Sequence, residues 1–137
     1  MPRRHRIRLR SDRGQTAVEF ALIAPILLTL LLGIVQGGIA FHDYLAVTDA
    51  ARAAARQAVE ARVSGITAAD VTAAAQDAAA DLNKTKLSVT LANPTDPTFT
   101  TPGSTLTVTV TYPYSINVLG IVVASGNLTS KMTGRLE

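Results

Sequence analysis

Glu19 is the residue whose setting most needs a chemical explanation. It stands at the head of a run, Phe20 to Phe41, of 22 residues without a charge. As an α-helix that run would span roughly 33 Å, enough to cross a bilayer core of roughly 30 Å. A carboxylate at the edge of such a segment is costly in hydrocarbon unless it finds a cationic partner, so it is a functional candidate. Other chemistry is sparse. His5 and His42 are the only histidines; they lie on opposite sides of the apolar run and cannot share a metal within one chain. His42 with Asp43 reads as an interfacial pair at the exit of the span. There is no cysteine, which removes disulfides, thiolate metal sites and thiol nucleophiles together. No phosphate-binding glycine loop, nucleophile elbow or framed pair of carboxylates occurs, so neither catalysis nor a cofactor is expected. Asn83-Lys84-Thr85 and Asn127-Leu128-Thr129 match glycosylation sequons, which short patterns do by chance.

The apolar run is flanked asymmetrically. Before Gly14 there are six arginines, Arg3, Arg4, Arg6, Arg8, Arg10 and Arg13, against Asp12, whereas from Gln15 onward seven Lys or Arg face nine Asp or Glu. The formal +3 and the pI near 9.7 therefore belong to the leader, and the body of the chain is not a nucleic-acid binder. The positive-inside rule puts the N-terminus in the cytoplasm and the C-terminal part outside, giving a single-pass protein of the cytoplasmic membrane. Residues 1–14 form a basic leader, disordered or removed; 15–41 form the membrane helix; 42–137 form an extracytoplasmic domain. An ordinary signal peptide, with Gly37, Gly38 and Ala40 near its exit, is the competing reading, but the apolar run is longer than such peptides use. Pro25 inside the span deletes one helical hydrogen bond and can bend the helix. Gly33 and Gly37 form a Gly-x-x-x-Gly strip that another helix could approach closely.

Beyond Phe41 the pattern turns amphipathic with no Gly or Pro before Ser64-Gly65, so the helix continues into water. Leu45, Thr48, Ala51, Ala55, Val59 and Val63 fall on helical spacing, with Asp49, Arg52, Arg56 and Glu60 on the wetter sides. Thr67 and Asp70 resemble a capping pair opening a second alanine-rich helix that runs to Leu82 or Asn83. From Leu87 the period becomes two: Leu87, Val89 and Leu91, then Leu106, Val108, Val110 and Tyr112, read as half-buried strands. Asn93 to Gly103 is a proline-rich loop, and Pro113 is expected to end the second strand. Ser115 to Gly126 is apolar and glycine-bounded, readable as a core turn, a short strand or an exposed contact surface. Leu128 to Leu136 is expected to be the last strand. The fold class is α+β: a long N-terminal helix, a second helix, and a three- or four-stranded antiparallel sheet.

The run Arg13-Gly14-Gln15-Thr16-Ala17-Val18-Glu19-Phe20-Ala21-Leu22, followed by Pro25 and a leucine-rich stretch, resembles the TadE-like family of minor pilins or pseudopilins of tight-adherence (Flp, type IVc) pilus systems. Thr48 to Arg56, TDAARAAAR, is similar to that family's helix beyond the membrane. The resemblance implies cleavage between Gly14 and Gln15 by a prepilin peptidase, leaving the apolar helix in the bilayer, with Glu19 as the fifth residue of the mature chain. It also implies that Glu19, with Phe20 beside it, serves subunit assembly by pairing with the N-terminal amine of a neighbouring subunit, and that Pro25, Gly33 and Gly37 shape or pack the helix. The implied partners are the lipid bilayer, the peptidase, other pilin and pseudopilin subunits, and the pilus assembly platform. Gln15 stands where major pilins often carry phenylalanine, which speaks against N-methylation. The chain is also much longer than the short major Flp pilin, which implies a minor or priming role. The alternative is an unprocessed, membrane-anchored binding module of the cell envelope.

Overall fold

A computed structural model describes residues 12–64, 67–93 and 103–135. The basic leader up to residue 11, the helix stop at Gly65, most of the proline-rich loop and Leu136 lie outside the described residues. The order of elements is α1 (Asp12–Ser64), α2 (Ala68–Ala78), β1 (Ser88–Ala92), β2 (Thr105–Val118) and β3 (Ile121–Arg135). The three strands form one antiparallel sheet in the order β1-β2-β3. This is the expected α+β architecture with three strands.

α1 runs 53 residues without interruption, through Pro25 and across the boundary between its apolar and alanine-rich halves. It begins at Asp12, so the last three residues of the expected leader are already helical. Its alanine-rich half is the backbone of the core. Val47, Ala50, Ala51, Ala54 and Ala58 are buried with Val71, Ala75 and Ala79 after them, then Leu82, Leu87, Leu106, Val108 and Val110. This differs from the stripe read from spacing: Leu45 is exposed, Ala55 and Val59 are only half-buried, and the deepest residue at the membrane-proximal end is Val47. The cause is that α1 is covered on two sides, by α2 and by the sheet, so the buried surface is wider than a single amphipathic stripe. Alanine suits this position because it lets two elements approach one helix closely, at the cost of little apolar area per residue.

α2 opens with the capping box expected from sequence. The Thr67 hydroxyl accepts from the Asp70 N–H at 3.4 Å, and the Thr67 N–H donates to Asp70 Oδ2 at 2.7 Å. The Thr67 hydroxyl also donates to the same carboxylate oxygen at 2.7 Å, and these bonds, the hydroxyl's first and the backbone's second, hold the Asp70 carboxyl below its ordinary value. The helix ends at Ala78, four residues before Leu82; a turn closed by the Leu82 N–H on the Ala79 carbonyl then tucks Leu82 into the core.

β2 does not end at Pro113. It pairs with β3 from Thr105↔Arg135 to Val118↔Ile121, while β1 reaches only from Ala92↔Thr107 to Ser88↔Thr111. Past Thr111, β2 therefore has one neighbour and is an edge strand, where the missing proline N–H is tolerated. β3 accordingly starts at Ile121, well before Leu128. The register shift after Ile116 leaves Val123 unpaired as a bulge between Ala124 and Val122. The turn is two residues, Leu119 and Gly120, both with positive φ (52° and 85°), the backbone a tight right-twisted hairpin requires.

Candidate functional site

The residues to which the sequence assigns cleavage, assembly and helix packing all lie on α1 between Gly14 and Gly37. Gly14 and Gln15 lie on α1, and glycine costs about 1 kcal/mol of helix stability relative to alanine. One turn on, Gln15 Nε2 donates to Glu19 Oε1 at 3.0 Å, so the helix brings the predicted residues Gln15 and Glu19 into contact. Glu19 and Phe20 are both exposed.

By the roughly 100° per residue of an α-helix, Gln15, Glu19, Leu22, Ile26, Thr29, Gly33 and Gly37 share one face. A Cβ placed on Gly33 or Gly37 would meet nothing within 4 Å, so among the described residues the strip is open. Pro25 lies at its margin without breaking the helix. Thr29, not noticed in the sequence, donates its hydroxyl to the Pro25 carbonyl at 2.8 Å, and Pro25, Ile26, Thr29 and Leu30 line a shallow open notch. The signal was available: a hydroxyl four residues after a proline is placed to bond that carbonyl.

At the far end of the apolar run His42 lies between two carboxylates, with Nδ1 3.7 Å from Asp43 Oδ1 and Nε2 3.9 Å from Asp81 Oδ2. Asp43 was expected from its position; Asp81 arrives from the turn after α2 and could not be read from spacing. Among the described residues no group of three or more His, Cys, Asp or Glu side chains gathers to hold a metal ion.

These features define a class: a chain with one N-terminal helix long and apolar enough to cross a membrane, none of whose apolar window is buried within the chain, carrying an α+β head folded onto the same helix. Residues 14–56, from near the start of the described part of α1 into its alanine-rich half, match the family model of TadE-like proteins. The match and the helix together fit a membrane protein related to the tight-adherence pilus. No curated protein and no solved structure matches the chain.

Proposed function

We propose that the chain is a minor pilin or pseudopilin that assembles or primes a tight-adherence (Flp, type IVc) pilus. In this reading a prepilin peptidase cuts between Gly14 and Gln15 on the cytoplasmic side, the helix from Gln15 stays in the membrane, and the head stands outside. The observation that carries the reading is the contact between Gln15 and Glu19 on an unpacked apolar helix. Cleavage after Gly14 creates an ammonium group on the residue one turn from the carboxylate. A carboxylate in lipid needs such a partner, and a neighbouring subunit docked along the open face of Gly33 and Gly37 would bring its own new N-terminus to Glu19. The TadE-like match over this same segment supports the assignment.

The test is the intact mass and N-terminal sequence of the protein recovered from membranes of cells carrying the matching peptidase. A chain beginning at Gln15 is expected, and Gly14→Val is expected to block cleavage without preventing insertion. An uncut chain from the wild-type gene overturns the reading and favours the unprocessed envelope-binding anchor; a chain beginning near Phe41 means that the helix is a signal peptide.

A further inference from the structure

The hairpin β2–β3 outruns the rest of the head. Its base is packed: Leu106, Val108 and Val110 are buried. Its tip is not: Leu119 is 67%, Ile121 70%, Val122 56% and Val123 66% exposed. No residue from Ser104 to Ser130 carries a charge. An apolar, charge-free finger of this kind on a water-facing domain marks a contact surface.

Two contacts say which way it points. At the base, Gly134, paired with Leu106, lies against the Val59 side chain and near the Ala55 carbonyl, at the membrane-distal end of the buried part of α1. At the other end of the packed region, Thr111 pairs with Ser88. Ser88 follows a short turn from Asp81, and Asp81 lies beside His42 at the exit of the apolar run. From Thr105 to Thr111, β2 therefore runs back along α1 toward the membrane segment, and the hairpin continues beyond in the same sense. Leu106 to Leu119 is thirteen residues, about 43 Å of strand. At an inclination of about 45° to α1 that length would descend about 30 Å, or some twenty helical residues, from the level of Val59 to that of Ile39. That level is inside the uncharged run.

The turn itself agrees. A two-residue turn with both φ positive favours Asn-Gly, yet its first position is Leu119, a residue for which that backbone is costly. Phe41 and Tyr44, both exposed, stand on α1 close to the same level, where aromatic side chains anchor proteins at the lipid boundary.

We propose that the tip Val118–Val123 inserts into the outer leaflet as a second membrane contact, so that the head is held at two points and cannot swing about α1. The partner is the lipid bilayer. The inference rests on the membrane span and not on the pilus role; failure of peptidase cleavage would leave it standing.

The chain has no cysteine, so single cysteines can carry an environment-sensitive nitrobenzoxadiazole label in the full chain reconstituted alone into phosphatidylcholine–phosphatidylglycerol vesicles. Leu119→Cys and Val122→Cys report the tip, Thr105→Cys the hairpin base and Ile34→Cys the span. For a side chain sitting about 5–10 Å below the lipid boundary, spin-labelled lipid is expected to quench both tip labels about two-fold and aqueous iodide to spare them. The Thr105 label should behave in the opposite way. Tip labels as open to iodide as Thr105, with Ile34 quenched by lipid, overturn the insertion alone. Ile34 unquenched overturns the span and the insertion together. Tip labels protected only when other pilus subunits are added make the surface a subunit contact and overturn the lipid assignment.

Discussion

Replacing Gly134 with alanine should destabilise the head by a mechanism that a second substitution can undo. An ideal Cβ at this position would lie 2.5 Å from Val59 Cγ2, with the Ala55 carbonyl 3.9 Å away. Two methyl groups rest near 4 Å apart, so the valine or the strand must yield by more than about 1 Å. Val59 is β-branched and helical, with essentially one favoured rotamer, so little of that can come from side-chain rotation. Overpacking of this kind costs about 1–3 kcal/mol, which in a head of this size lowers the melting temperature by about 5–20 °C. The assay is loss of the tyrosine near-UV dichroism on heating in detergent micelles, because Tyr112 is partly buried against the core and the apolar half of α1 stays helical in detergent. Val59→Ala alone removes two half-buried methyls and is expected to cost about 1 kcal/mol. In the double variant the new Cβ fills the space they leave, so the two costs should fall short of additivity by about 1–2 kcal/mol. Strict additivity, or Gly134→Ala within about 0.5 kcal/mol of wild type, would refute the close approach of β3 to α1 and, with it, the base from which the hairpin's direction is measured.

The remaining expectations touch three other places. Asp70 has its carboxyl held below the ordinary 3.8 by Thr67, so its contribution is complete above that value and is lost as pH falls through the lower folded value; Asp70→Asn should flatten the acid limb of a melting temperature measured from pH 7 to pH 2. Thr67→Ala, which removes the cap itself, should cost about 1 kcal/mol at neutral pH in the same melt. Glu19→Ala should abolish pilus assembly while membrane-extracted protein stays at wild-type level by immunoblot; normal piliation would remove the role given to that carboxylate. Val108→Ala, at a fully buried site on β2, should cost about 1–3 kcal/mol in denaturant titration.

What could be read from residues alone was governed by local rules. The uncharged run, the unbroken passage from Phe41 to Ser64 and the Thr67–Asp70 cap each depend on neighbours within one or two turns, and each is where the sequence places it. The errors lie where a distant element decides. Pro113 terminates a strand flanked on both sides, but β1 stops pairing at Thr111, and nothing local to Pro113 encodes that. The Leu45 stripe assumed one buried face, whereas α2 and the sheet cover two. Asp81 beside His42 depends on the turn after α2 returning to the membrane-proximal end of α1. The candidate residues could be placed together because they form a linear arrangement on one helix; the hairpin tip could not, because the apolar residues of Ser115 to Gly126 suit a core turn, a strand or a contact surface equally well until the pairing partner of each is known.

One helix serves two solvents here, and that sets how the head can respond to the membrane part. Between Gly38 and Ser64, α1 contains neither Gly nor Pro, so no ordinary site for a kink separates the span from the core of the head. Val47, the first buried residue, is only six positions past Phe41, a helical rise of about 9 Å. A rotation or axial shift imposed on the apolar half by a neighbouring helix is thus delivered directly to the surface on which the sheet is packed. A flexible linker would have let the head drift independently of its anchor. With the continuous helix, subunit contacts of the proposed kind along the Gln15–Gly37 face would orient the strands, and a second hold on the bilayer at Leu119 would restrict the motion left to the head, rotation about α1. In the proposed pilin, subunit packing in the membrane and presentation of the sheet beyond it would therefore be mechanically one event.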